Sequence, residues 1–339
     1  MRGAWMRREI FEQPETVARL IDRETTRAFR LGAELRRRQV RFALLAARGT
    51  SDHAATVGKY LFGCRLGVAA GLAAPSIVTL YKSRLKLQGA LVIGISQSGR
   101  SPDIVEVLRQ ARRSGALTLA LTNDASSPLA AAARHTLPLH AGPERSVAAT
   151  KTFTAQLAGL YLLAAGWQGG RGGEELLAKL REVPEELVDA LGLDEDIAAR
   201  MGHNLALERC VVIGRGFAYP VALETALKLK EAAGAFAEGA SAADFLHGPI
   251  GMAKRQAGKS FRAILLLSRG PGLPTTRRVA RRLRDAGVPL LEFGPPPVPD
   301  ELSPFPLAVW GQLAAYHLAL AKKRDPDQPE GLRKVTKTK

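Results

Sequence analysis

The sequence predicts an α/β protein built from two tandem doubly wound, mostly parallel sheets flanked by helices. Three observations carry that prediction. Short apolar runs of strand length alternate with amphipathic stretches of helical length. The alternation breaks once, at the glycine cluster of WQGGRGGEE, and then starts again. The chain of 339 residues is too long for one ordinary core and fits two domains of about 150 residues each.

Taken in order, residues 1–39 read as a helical segment. RFALLAARG reads as a buried strand, and Ser51 to Gly67 as the helix after it. SIVTLYK and ALVIGIS read as further strands, Pro102 to Arg113 as an amphipathic helix, ALTLALTN as a strand and SPLAAAAR as a short helix. Thr150 to Ala165 is a long apolar helix that closes a first unit at residues 40–168. Strands separated by helices of this length imply parallel βαβ units. Residues 169–201 are linker and acidic helix, with the domain boundary expected at the glycines. The second unit, residues 202–323, repeats the scheme: strand RCVVIGRG, helix Tyr219 to Ala233, strand AFAEG, helix around Ala242, strand FRAILLLS, helix Thr275 to Ala286, strand PLLEFG and a final helix. Residues 324–339 form a polar, proline-containing tail whose composition alone predicts a solvated terminus.

Hydrophobic residues make up 46% and charged residues 24% of the chain, an ordinary globular mix without the run of about 18 apolar residues that spans a bilayer. No apolar signal-peptide core follows the basic N-terminus, so the expected location is the cytoplasm. Cys64 and Cys210 sit in apolar stretches without metal-ligand spacing and read as buried structural thiols. Neither a metal nor an organic cofactor is expected. A net charge of +17 fits a nucleic-acid partner, an anionic small substrate or an arginine-rich proteome. The basic residues are dispersed over helical segments without interleaved aromatic residues, which favours solvated helix faces over a nucleic-acid surface.

In a parallel α/β unit, ligands bind at the loops that follow the carboxyl ends of the strands. Two such loops are rich in hydroxyls: Thr50 and Ser51 after the first strand, and Ser96, Ser98 and Ser101, with Gln97 between them, after ALVIG. Gly49 and Gly99 allow tight turns, and free amides at a helix start suit a phosphate. Two readings stand at this point, a phosphate nest and a pair of ordinary serine N-caps. No Walker-type loop and no GxGxxG fingerprint is present, which disfavours a nucleotide.

Six segments, ARGTSD, ISQSGRSPD, ERSVAATKTFTAQL, GRGFAYPVALETALKLKE, LHGP and DPDQPEGLRKVT, resemble in order the sugar isomerase (SIS) family. The resemblance spans nearly the whole chain and implies two tandem SIS domains. The similar members are the isomerase half of glucosamine-6-phosphate synthase and the stand-alone SIS-type glucosamine-6-phosphate deaminases. The resemblance implies that Ser96, Gln97, Ser98 and Ser101 hold a sugar phosphate, that Thr50 and Ser51 contact the sugar, and that Val147, Ala148 and Ala149 line the site. Glu224, Lys228 and Glu231 share one helix face by their spacing. On spacing alone Glu224 and Lys228 read as an exposed ion pair; the resemblance makes Glu231 the group that moves a proton between sugar carbons 1 and 2. It also makes His247 a ring-opening acid or base contributed across a homodimer with shared active sites. Lys334 becomes a tail lysine that forms an imine with the open sugar, and the tail becomes an ordered lid. Such a lysine must be neutral to react, which desolvation or a cation such as Arg333 favours.

A synthase that draws ammonia from glutamine needs a glutaminase domain opening on a catalytic cysteine. This chain opens on MRGAWMRREIFEQP, so the expected reaction is conversion of glucosamine 6-phosphate to fructose 6-phosphate and free ammonia. The alternatives are another amino-sugar or fructosamine-phosphate deglycase, a plain phosphosugar isomerase, or a non-catalytic sugar-phosphate sensor. Arg48, Arg100, Arg145 and Arg333 stand where the synthases carry cysteine, glutamate, an apolar residue and alanine, and Ala149 stands where they carry serine.

Overall fold

The computed structural model describes residues 2–204, 207–252, 255 and 261–334. The chain forms two compact units. One comprises Gln13–Glu144, Lys151–Pro184 and the tail from Arg333; the other comprises the N-terminal segment through Glu12, Arg145–Thr150 and Glu185–Leu332.

In chain order the helices α1 (Ala4–Phe11) and α2 (Gln13–Arg37) precede β1 (Phe42–Ala46) and α3 (Thr50–Leu61), which ends in one π turn over Phe62–Leu66. Then come β2 (Ala69–Leu72), α4 (Pro75–Thr79), β3 (Leu91–Ser96), α5 (Pro102–Arg113), β4 (Leu117–Thr122), α6 (Pro128–Ala132), β5 (His135–Pro138) and α7 (Lys151–Gln168). These strands pair in parallel in the order β2-β1-β3-β4-β5. β3 and β4 are buried at every position, as strands covered by helices on both faces must be. Val92, Ala120, Ile104, Leu108 and Leu129 pack one of those faces. The chain leaves β1 towards one edge and returns to β3 on its other side, so the topological switch point lies between β1 and β3.

Two assignments made from pattern are corrected here. SIVTLYK is not a strand: Pro75 opens α4, and the strand of that region is Ala69–Leu72, paired with β1 from Phe42↔Ala69 onwards. Proline suits the first turn of a helix because its fixed φ and missing N–H cost nothing there; the β-branched Ile77 and Val78 mimicked a strand. The other edge is β5, which pattern reading missed because it is only four residues long, polar, and ends in Pro138, all of which an edge strand tolerates. The glycine cluster forms a turn rather than an extended linker, since α7 ends at Gln168 and α8 (Gly170–Leu191) begins after a single residue.

After α8 come α9 (Asp194–Gly202), β6 (Arg209–Gly214), α10 (Ala218–Ala233), β7 (Phe236–Ser241), α11 (Ala242–His247), β8 (Phe261–Leu266), α12 (Leu273–Asp285), β9 (Leu290–Phe293) and α13 (Pro304–Ala321). The second sheet is also parallel, ordered β7-β6-β8-β9, which puts its own switch point between β6 and β8. Val211, Ile213, Phe245, Ala263, Leu265, Val279 and Leu283 form one of its cores. α13 is buried over most of its length and packs beside α10 in the same unit. Among the described residues no helix is long and apolar enough to cross a membrane.

Candidate active site

The loops that follow β1 and β3 flank the first switch point. Gly49 sits at φ 54°, ψ −128°, a region essentially restricted to glycine. Gly99, at φ 63°, would place a Cβ 2.2 Å from Ser127 Oγ, so the turn after β3 can close only on a glycine. Neither predicted serine cap is realised: the N-cap of α3 is Gly49, and Ser101 at the N-cap of α5 makes no side-chain capping bond. Instead Ser51 Oγ accepts from Gln156 Nε2 at 2.9 Å, Ser96 Oγ accepts from Gly99 N at 3.1 Å, and Ser98 Oγ accepts from Arg100 N at 3.3 Å.

The carbonyl of Gln97 accepts from Asn123 N and Thr122 Oγ1, and that of Gly99 from Leu129 N. A loop whose carbonyls are turned back into the fold offers amides and hydroxyls on its other side, the polarity an anion requires. Thr50 and Gln97 are half-buried at the same end of the sheet.

Arg48 ties the two loops together. Its Nε lies 2.8 Å from Asp103 Oδ2, with the guanidinium half exposed and the carboxylate buried. Arg100 reaches Asp124 at 3.4 Å, and hydrogen bonds from Ser126 hold that carboxyl below its ordinary range. Burial pushes Asp52, in the first turn of α3, above the ordinary carboxylate range, with His53 and Arg48 pulling it back.

The segment Val147–Ala149 belongs to the other unit and is clamped there from two sides. Glu9 on α1, itself buried, accepts from Ser146 N at 3.2 Å and from Arg145 N; Asp327 O accepts from Val147 N at 3.2 Å. Asp327 also caps α1, its carboxylate accepting from Met6 N at 2.7 Å and Trp5 N at 3.0 Å. Arg145 turns outward to lie over the Trp5 ring, 4.2 Å from its centroid.

Lys334 is 25% exposed, and its Nζ lies 3.0 Å from Glu144 Oε2. This carboxylate is a partner that the sequence did not suggest for Lys334 beside the cation Arg333. Residues 335–339 of the tail lie outside the described residues.

The acid–base candidates of the second unit lie on α10. Lys228 and Glu224 are each only 1% exposed, with Lys228 Nζ 3.5 Å from Glu224 Oε1 and in short contact with Glu231 Oε2. The spacing-based expectation of an exposed pair is therefore corrected: α13 packs beside α10 and the pair is buried. One ammonium between two carboxylates fixes both, because an unpaired charge at this depth is costly. Glu231 remains 25% exposed and lines a cavity of about 570 Å³ together with Lys230, Lys323, Arg324, Glu330 and Leu332. A carboxylate anchored on one side and open on the other is suited to proton transfer. His247 is the exposed last residue of α11, followed by Gly248.

Thr50, Ser51, Ser96, Gln97, Ser98, Ser101 and Lys334 belong to the first unit, and Val147, Ala149, Glu224, Lys228, Glu231 and His247 to the second. Pattern reading passed over Glu144, Gln156, Glu9 and Asp327. Gln156 alone carried a local signal, a polar residue in α7 directly before the apolar, buried run Leu157–Leu160. Burial pushes the Cys210 thiol up to about 12, whereas Cys64 is exposed, which corrects the expectation of a buried thiol there: it lies in the π turn that ends α3. Among the described residues no cluster of three or more His, Cys, Asp or Glu is placed to hold a metal.

The two parallel sheets, each with a switch point beside its first strand, define a doubly wound α/β protein. Residues 38–166 match the SIS domain model. A protein from Silicibacter pomeroyi DSS-3, provisionally assigned as a phosphosugar isomerase, is 34% identical, with 96% of this chain and all of that one superposing at a TM-score of 0.87. The chain belongs to the SIS domain family. It is also 34% identical, over 97% of its length, to the glutamine–fructose-6-phosphate aminotransferase (isomerizing) of Methanothermobacter thermautotrophicus, of which it spans 57%. The glucosamine-6-phosphate deaminase of Thermotoga maritima shares the fold at a TM-score of 0.79 and 22% identity, covering 99% of this chain and 100% of that one.

Proposed function

We propose that the chain converts glucosamine 6-phosphate to fructose 6-phosphate and ammonia. Ser96, Gln97, Ser98 and Ser101 hold the phosphate, while Thr50, Ser51, Val147 and Ala149 contact the sugar. His247, supplied by the second copy of a homodimer, opens the ring. Glu231 carries the proton from carbon 2 to carbon 1, and the resulting imine is hydrolysed to the ketose and ammonia. Lys334 engages the open ketose as an imine. Lys228, itself held by Glu224, aims the Glu231 carboxylate.

The observation that carries this reading is the cluster on α10: a buried lysine holding a carboxylate that still faces open space. Burial pushes the Cys210 thiol up to about 12, away from the thiolate that a nucleophile needs. The similarity to aminotransferases, of which the chain spans 57%, favours a second reading in which the same site runs towards amination with ammonia delivered from elsewhere.

A coupled assay for fructose 6-phosphate and ammonium tests both, using glucosamine 6-phosphate, galactosamine 6-phosphate and fructosamine phosphates as substrates. Turnover of glucosamine 6-phosphate is expected. Binding without turnover of any of them would replace the enzyme by a sugar-phosphate sensor. Glu231→Gln should bind the sugar phosphate yet turn nothing over.

A further inference from the structure

A serine hydroxyl carries one proton and two lone pairs, so a serine that accepts from the protein keeps its own proton for another partner. Three serines beside the first switch point are arranged in this way. Ser96 Oγ and Ser98 Oγ accept from the backbone amides of Gly99 and Arg100, and Ser51 Oγ accepts from Gln156 Nε2 at 2.9 Å. None of the three hydroxyls donates to another described residue. All three are left as donors, the polarity that an oxyanion or a sugar oxygen requires.

The main chain of their own loop sets the first two. The third depends on one side chain, 105 positions away in the chain. Gln156 lies on α7, which packs beside α3 in the same unit, and it is fully buried. Its Oε1 has no partner among the described residues. A buried amide with part of its hydrogen-bonding capacity unmet is less stabilising than an apolar side chain of similar size. Such departures from core packing belong to functional sites.

We propose that Gln156 is a positioning residue: by donating to Ser51 Oγ it turns the Ser51 proton towards the ligand and makes that serine a donor to a sugar-phosphate oxygen. The role rests on the contact between Ser51 and the sugar proposed above. Gln156 acts only through Ser51, because its own amide is buried. A methionine or leucine in its place fills the same space without fixing the hydroxyl, which then rotates freely.

The test is a double-mutant cycle on the full chain, read by calorimetric titration with fructose 6-phosphate and by thermal unfolding. Ser51→Ala and Gln156→Met should each weaken binding by about threefold to tenfold, the value of one neutral hydrogen bond. The double variant should bind no more weakly than Ser51→Ala, because the two residues act as one unit. Gln156→Met and Gln156→Leu should unfold at or above the wild-type midpoint. Wild-type affinity in Gln156→Met would overturn the proposal, as would a loss that persists in full on top of Ser51→Ala, or a lowered midpoint in both apolar variants. Wild-type affinity in Ser51→Ala would remove the serine contact and this role with it. Turnover of glucosamine 6-phosphate is measured separately: a protein that shows the coupling but turns nothing over would overturn the deamination reading and leave the role of Gln156 standing.

Discussion

Replacing Lys228 by methionine separates a surface ion pair from a buried one. An exposed i,i+4 pair is worth about 0.3–0.5 kcal/mol, and its loss would be barely measurable. Lys228 and Glu224 are each 1% exposed, and removing one partner of a buried pair costs roughly 3–5 kcal/mol because the other charge stays behind unneutralised. At about 2–4 °C per kcal/mol for a domain of about 150–250 residues, the midpoint should fall by roughly 6–20 °C. Thermal and urea unfolding of the wild type, Lys228→Met and the double variant Lys228→Met with Glu224→Gln measure it. The double variant should recover most of the loss, since a glutamine leaves no buried charge at that position. A loss below about 1 kcal/mol, or a double variant no more stable than the single one, would refute the burial argument.

Three further outcomes follow from the geometry. Gly99→Ala forces a left-handed conformation costing about 1–2 kcal/mol and drives a methyl to 2.2 Å from Ser127 Oγ; the thermal shift given by fructose 6-phosphate should shrink markedly, and an undiminished shift would count against the cradle. Asp327→Ala removes the acceptor for the Trp5 and Met6 amides, a cap worth about 1 kcal/mol; amide exchange in α1 should accelerate about fivefold. Native alkylation at pH 8 should modify Cys64 and spare Cys210, whose thiol lies near 12; a second native adduct in the intact mass would contradict its burial. The same shift has a direction in stability: the folded state keeps that proton longer than the unfolded chain, so the contribution is complete below about pH 8.5 and lost as pH rises towards 12.

The central strands and long helices were legible because their signals are local and repeated. β3, β4, α5 and α7 carry unbroken apolar or amphipathic patterns, and helix packing preserves what the pattern states. α4 and β5 were not legible. Five and four residues are too few for a period to show; Pro75 at the first turn decides α4, and edge position rather than propensity decides β5. The hydroxyl loops were visible from their place after strands, yet not the reason they are free of capping duty: Ser51 is held by Gln156, more than a hundred residues away. Glu144 stood in plain view within ERSVAATKTFTAQL, but only the fold brings Lys334 back to it. Glu9 and Asp327 look like surface acids until α1 and the tail are placed side by side.

Proton-shuttle chemistry at Glu231 is tested most directly by NMR of glucosamine 6-phosphate labelled with carbon-13 at carbon 2. With the wild-type protein the amine-bearing resonance should give way to that of the ketose as ammonium accumulates, and with Glu231→Gln the spectrum should stay that of bound and free substrate. A label that stays on the amine-bearing carbon with the wild type, or conversion by Glu231→Gln at the wild-type rate, would contradict it.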